Sequence, residues 1–144
     1  MRPLIDIRGL CPLLQVFDMP LSVRFYCELL GFEISSRSPT YAAENGVELF
    51  HWALLQRGET ELMLNTAYDE GERPAFPAPE RVASHADTAL FFGCPDVDYA
   101  YEQVKSHGVA CAPPKTARYG MRQLSFRDPD GYEITGLANR RFLL

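Results

Sequence analysis

The sequence predicts an α+β domain made of two copies of one strand–helix–strands unit, on three observations. Two helical segments carry the same apolar spacing between the same start and stop signals. A short apolar strand precedes each of them, and short strands ending in a tight hairpin follow each.

The first unit covers residues 8–66. Residues 10–17 read as a strand. Asp18 supplies a capping carboxylate and Pro20 suits a first helical turn. Val23, Tyr26, Cys27 and Leu30 then fall at i, i+3, i+4 and i+7, one apolar helix face, and Gly31 ends the helix. Residues 32–35, 47–56 and 60–65 read as strands, the last two joined by Arg57-Gly58-Glu59. Residues 67–84 contain Pro74, Pro77 and Pro79 and almost no periodicity, as expected of a linker or a loop over a cleft.

The second unit, residues 85–143, repeats the first. Residues 88–94 read as a strand. Asp96 caps a helix with Val97, Ala100, Tyr101 and Val104 on its apolar face, and Gly108 stops it. Residues 109–112 form a short strand before Pro113-Pro114. Residues 121–126 and 132–137 form a hairpin across Asp128-Pro129-Asp130-Gly131, which places Pro early and Gly where φ is positive. The two carboxylates of that tetrapeptide are assigned to the turn itself. The expected architecture is a single domain over residues 1–144. Its two βαβββ units form a curved mixed sheet with helices on one face and a concave ligand cleft on the other.

Bulk properties narrow the function. The 144 residues carry a net charge of −5 and no Lys/Arg cluster, which argues against nucleic acid and anionic membranes as partners and is mildly favourable to a cationic ligand. No apolar run approaches the ~20 residues of a membrane span. The stretch around Arg2, Asp6 and Arg8 has no apolar signal core, so a cytoplasmic protein is expected. Cys11, Cys27, Cys94 and Cys111 show no CxxC or finger spacing and read as buried thiols. No G-x-S-x-G, phosphate-binding loop or H-E-x-x-H is present, and no catalytic residue is assigned.

Four segments carry a resemblance: VFDMPLSVRFYCELLGFEI (16–34), GETELML (58–64), PDVDYAYEQVKSHGV (95–109) and YGMRQLSFRDPDGYEIT (119–135). They resemble the vicinal oxygen chelate superfamily, which includes glyoxalase I, fosfomycin and bleomycin resistance proteins and extradiol dioxygenases. The resemblance implies a homodimer in which a second copy completes the cleft. It also implies one divalent metal held by His, Gln and Glu side chains on the first and last strands of each unit, chelating two neighbouring substrate oxygens. Carried over by position, those ligands fall on Cys11, Glu61, Ala89 and Thr135. Ala89 and Thr135 cannot ligate usefully, a thiol is an odd partner for a hard metal, and only Glu61 is retained. His85 reaches the cleft only if residues 67–84 fold inward. The expectation is therefore no metal cofactor, with Glu61, Cys11 and His85 as weak candidate ligands; the alternative is a divalent ion such as Zn, Ni, Mn or Fe.

Strand alternation from these positions lines the cleft with Leu13, Gln15, Phe17, Glu61, Met63, Phe91, Gln123, Ser125 and Thr135, with Tyr119 in a loop that could fold over it. Trp52 is either cavity wall or core. Such a lining suits a flat organic ligand better than a phosphonate. The function expected is that of a small-molecule binding protein like the bleomycin resistance proteins, sequestering an apolar or cationic organic ligand. The alternative is a metal-dependent lyase, isomerase or dioxygenase with an unusual ligand set.

Overall fold

A computed structural model describes residues 2–138. The end of the second unit, residues 139–143, lies outside the described residues. Alternating apolar residues pair the strands into two four-stranded mixed sheets of the same order. In the first unit, β1 (Leu13–Val16), β2 (Glu33–Arg37), β5 (Trp52–Arg57) and β6 (Thr60–Thr66) are arranged β1-β6-β5-β2. In the second, β7 (Ala89–Gly93), β8 (Lys115–Thr116), β9 (Arg122–Arg127) and β10 (Glu133–Leu137) are arranged β7-β10-β9-β8. In both sheets the first strand runs parallel to the last, and the remaining pairs are antiparallel.

The helix start is built as the sequence predicts. Asp18 accepts a hydrogen bond from the Leu21 N–H at 3.1 Å, with Pro20 in the first turn of α1 (Met19–Arg24). The helix then widens into a π-helical segment, Phe25–Leu29. In the second unit Asp96 accepts from the Tyr99 N–H at 3.0 Å at the start of the longest helix (Val97–Ser106).

Several elements depart from expectation. The strand expected over residues 47–56 is two, because Ser38 Oγ accepts from the N–H groups of both His51 and Trp52 and breaks the ladder there. Its first part, β4 (Val47–Leu49), pairs with an unexpected β3 (Ala42–Glu44). The turn between them is Asn45-Gly46, with φ of 51° and 78°, the conformation a two-residue hairpin favours. The strand expected over residues 109–112 makes only an isolated bridge from Cys111 to Phe126; the strand proper follows the two prolines, whose missing N–H groups cannot serve a ladder. The linker contains a short helix, α2 (Pro79–Ser84), leaving the longest helix as α3. The four cysteines are partly exposed rather than buried, and all are free thiols.

The helix-bearing faces of both sheets share one core. Leu14, Val16, Leu55, Leu62 and Leu64 of the first unit join Val97, Val104, Leu124, Phe126 and Ile134 of the second. Phe32 meets Phe92 edge-on at 6.0 Å and Phe25 lies 6.1 Å from Phe126, so the junction is aromatic.

The Asp128-Pro129-Asp130-Gly131 turn does more than reverse the chain. Asp130, 1 % exposed, accepts from the Phe17 N–H at 2.8 Å, Ser22 Oγ at 3.3 Å and Arg81 Nη1 at 2.8 Å. Asp128 accepts from Tyr26 Oη at 2.6 Å and from the N–H groups of Asp130 and Tyr132 at 2.9 Å each. Burial pushes the Asp128 carboxyl above its ordinary range, against the pull of the Tyr26 hydroxyl and the backbone donors. Burial, and then the neighbouring Asp128 charge, push Tyr26 well above the ordinary tyrosine value. The reading of these carboxylates as turn residues alone is thus corrected: they bind the two units together.

Two outcomes follow. Tyr26→Phe leaves a buried carboxylate one donor short and is expected to lower stability by about 1–3 kcal/mol in urea denaturation at pH 7. Because Tyr26 ionises later folded than unfolded, its contribution is intact below about pH 10 and declines as pH rises further; the phenylalanine variant loses that share of the alkaline decline. Gly131 holds φ at +87°, and an added Cβ would lie 2.7 Å from the Val82 carbonyl oxygen. Gly131→Ala is expected to destabilise by more than about 1 kcal/mol, read as a lower urea midpoint.

Candidate functional site

Because alternate side chains of a strand point to opposite sides, each sheet has a second face turned away from the shared core. In the first unit that face holds Leu13, Gln15, Trp52, Glu61 and Met63. The register places Leu13 beside Met63, Gln15 beside Asn65, and Trp52 across from Asn65. Trp52, left open between wall and core, lies on this face and is partly exposed, while its neighbour Ala53 is buried on the other side. Asn65 Nδ2 donates to Gln15 Oε1 at 3.4 Å.

In the second unit the open face carries Phe91, Gln123, Ser125 and Thr135, with Thr135 beside both Phe91 and Ser125. Phe91 is 53 % exposed. Thr135 is only 1 % exposed, and its hydroxyl lies 3.0 Å from Ser125 Oγ, so it braces the face from below. Tyr119, in a turn before β9, donates from Oη to Gln123 Oε1 at 2.6 Å and is thereby tied to the same face. Every candidate binding residue is thus placed on, or bonded to, one of two faces. The cleft is not closed within one chain, however. Among the described residues, none of the principal surface cavities is lined by both faces. The physical reason is the shared core: the units meet through their helix-bearing sides.

The positions where a metal would be held do not assemble a donor set. Cys11 precedes β1 and lies near Glu61; burial first, and then the Glu61 charge, push its thiol up, away from the thiolate form that binds metals. Ala89 has no donor atom and pairs with Glu133. The Thr135 hydroxyl is engaged with Ser125. His85 does not turn toward Glu61. Its Nδ1 donates to the Asp130 carbonyl at 2.7 Å, and its ring stacks on Tyr132 at 3.9 Å and 8°. Among the described residues, no three His, Cys, Asp or Glu side chains are grouped to hold an ion. The residues present therefore do not fit a single-metal centre of the His/Gln/Glu kind.

Paired βαβββ units with matching strand order and an open face on each sheet define a protein of the glyoxalase and bleomycin-resistance class. The chain belongs to the Glyoxalase/Bleomycin resistance protein/Dioxygenase superfamily, whose family model matches residues 10–135. It is 29 % identical over 122 residues to the uncharacterized protein YaeR of Escherichia coli (strain K12), covering 81 % of this chain and 84 % of YaeR. A structure from the mobile metagenome of V. Pseudocholerae is 26 % identical, with a TM-score of 0.61 over 93 % of this chain and 96 % of that one. A bleomycin-binding protein solved with bleomycin is 22 % identical, with a TM-score of 0.63 over 93 % of this chain and 100 % of that one; that likeness shows the fold alone. Among the described residues no helix is long and apolar enough to cross a membrane.

Cysteine chemistry checks the first-unit corner. Alkylation of Cys11 by iodoacetamide at pH 7.5 is expected to run slower than that of a free thiol, and Glu61→Gln to speed it. Site-resolved mass spectrometry measures both rates.

Proposed function

We propose that this protein is a small-molecule binding protein that sequesters an apolar or cationic organic ligand against its open sheet faces, without a metal and without turnover. One observation carries the reading. Of the four positions that would hold the superfamily's metal, one offers no donor and another has its hydroxyl committed to Ser125 at 3.0 Å. The surrounding faces still offer what an organic ligand needs: Trp52, Phe91, Leu13 and Met63 for contact area, and Gln15, Gln123 and Glu61 for orientation and charge. The bleomycin-binding protein of the same fold is consistent with ligand capture of this type. A second copy of the chain supplies the opposing wall, since one face encloses a ligand from one side only. The metal-dependent alternative gains little from Cys11, because burial and then the Glu61 charge make its thiol harder to ionise.

The single tryptophan is a built-in reporter, because it stands on the first-unit face. Adding Zn, Ni, Mn or Fe ions is expected to leave the melting temperature unchanged within about 1 °C, since an ion that binds the folded state well above its Kd raises stability by several kcal/mol. A flat aromatic cation such as acridine orange is expected to quench Trp52 saturably, and Glu61→Gln to weaken that binding. Stoichiometric metal that raises the melting temperature would replace this reading with the enzymatic one.

A further inference from the structure

We propose that the cavity between the β3–β4 hairpin and residues 66–73 is a binding site for a small organic ammonium ion, separate from the open sheet faces. The cavity lies at the helix-bearing end of the first sheet and has a volume of about 330 Å³. Of the residues that strand alternation assigns to the cleft, only Phe17, just past the end of β1, lines it.

Its walls are aromatic and held in place. Phe17 and Tyr68 meet edge to face at 6.1 Å and 84°. Tyr41 stacks flat on His51 at 4.1 Å and 7°, and His51 Nδ1 is fixed by Thr66 Oγ1 at 2.8 Å. The charge around these rings is strongly one-sided. Asp18, Glu44, Asp69 and Glu70 line the cavity against one cationic side chain, Arg73, so four negative charges less one positive leave three in excess. An aromatic face carries a negative potential, and rings backed by carboxylates are the arrangement that captures ammonium groups.

The fold already demonstrates the attraction. The Arg73 guanidinium lies over Phe17, 4.8 Å from the ring centroid. Its Nη1 is 3.4 Å from the Phe17 carbonyl oxygen and 4.0 Å from Asp18 Oδ2. The Arg73 side chain is 45 % exposed on a flexible stem, so a ligand cation can displace it from the ring. A bare metal ion is the wrong occupant. Among the described residues the carboxylates do not converge as a group that could hold one, and a hard ion gains little from ring faces. An organic ammonium, weakly hydrated and with methyl groups to bury against Phe17 and Tyr68, uses both features of the site.

The test is an amide-resolved NMR titration of the whole chain with choline chloride and with its uncharged isostere 3,3-dimethylbutan-1-ol, at fixed ionic strength. Choline is expected to give saturable shifts confined to residues 17–20, 41–44 and 66–73, with the isostere binding at least about fivefold more weakly. Arg73→Gln, which clears Phe17, is expected to tighten choline about threefold, and Tyr68→Leu to weaken it about fivefold. Should the leucine variant lose its native spectrum, the doubly neutralised Asp69→Asn/Glu70→Gln chain replaces it with the same expected direction. No saturable shift at about 50 mM choline, equal binding of the isostere, or shifts on the open faces instead overturns the proposal. The outcome is distinguishable from that of the open-face reading, which is read on Trp52.

Discussion

The two carboxylates buried at the turn between β9 and β10 hold the molecule's halves in one relation. A buried carboxylate is costly unless it is fully hydrogen-bonded, and removing a partner from one is worse than never having had the pair. Asp130 draws its partners from three places distant in the chain: the Phe17 N–H at the end of β1, the Ser22 hydroxyl on α1 and the Arg81 guanidinium on α2. Arg81 also donates to the Gln15 carbonyl at 2.6 Å, so the segment between the units is tied to both. Asp128 takes the Tyr26 hydroxyl from the middle of the first helix. Among the described residues no buried side-chain polar atom lacks a partner. The arrangement is a specificity device as much as a stabilising one, since a shifted helix or a slipped hairpin would strand a charge in the core.

That clamp also decides which surfaces remain free. It binds the N-terminal end of α1 to the second sheet's hairpin, which commits the helix-bearing side of each unit to the shared core. The opposite sheet faces are left without cover in the single chain, and the pocket beside the β3–β4 hairpin is left at the rim. The surfaces left free are therefore consequences of how the units join. Gly131 shows how tightly the parts fit: a Cβ added there would meet the Val82 carbonyl oxygen at 2.7 Å, so no side chain can be built without a shift.

Much of this was legible in the sequence, for local reasons. Helix starts at Asp18 and Asp96 depend on a carboxylate three residues from an N–H, and strand faces depend on alternation, which β1, β6, β9 and β10 keep without a register break. The β3–β4 hairpin carries a strong turn signal in Asn45-Gly46, yet the expected strand over residues 47–56 covers only its second arm and leaves residues 42–44 unassigned. What could not be read is long-range. The Asp128 and Asp130 contacts span 102 to 113 residues to the first unit, and nothing in a D-P-D-G tetrapeptide distinguishes a turn that faces solvent from one that faces a helix. The helix at α2 lacks a side-chain cap; Pro79 and Glu80 in its first turn are its only local start signals, and its tertiary ties run through Arg81. His85 illustrates the same limit: its position before Ala89 suggested a ligand, whereas its ring is stacked on Tyr132.

Under the proposed metal-free reading, the face must gain affinity another way. A chelated metal supplies strong, directional bonds to two substrate oxygens, so the remaining contacts can be sparse. Without it, affinity rests on apolar area at roughly 25 cal/mol per Å², less the cost of immobilising the partners. A flat ligand laid on Trp52 and Met63 buries one side and leaves the other in water. Enclosure from both sides roughly doubles the buried area while the cost of lost translation is incurred only once. For the proposed binding function, that asymmetry favours a site shared between two copies, one contributing the Trp52 face and the other the Phe91 face, over two half-sites working alone. It also explains why rigidity matters at Thr135. A hydroxyl spent on Ser125 contributes no new contact to a ligand, but it ties β10 to β9 beneath the open face.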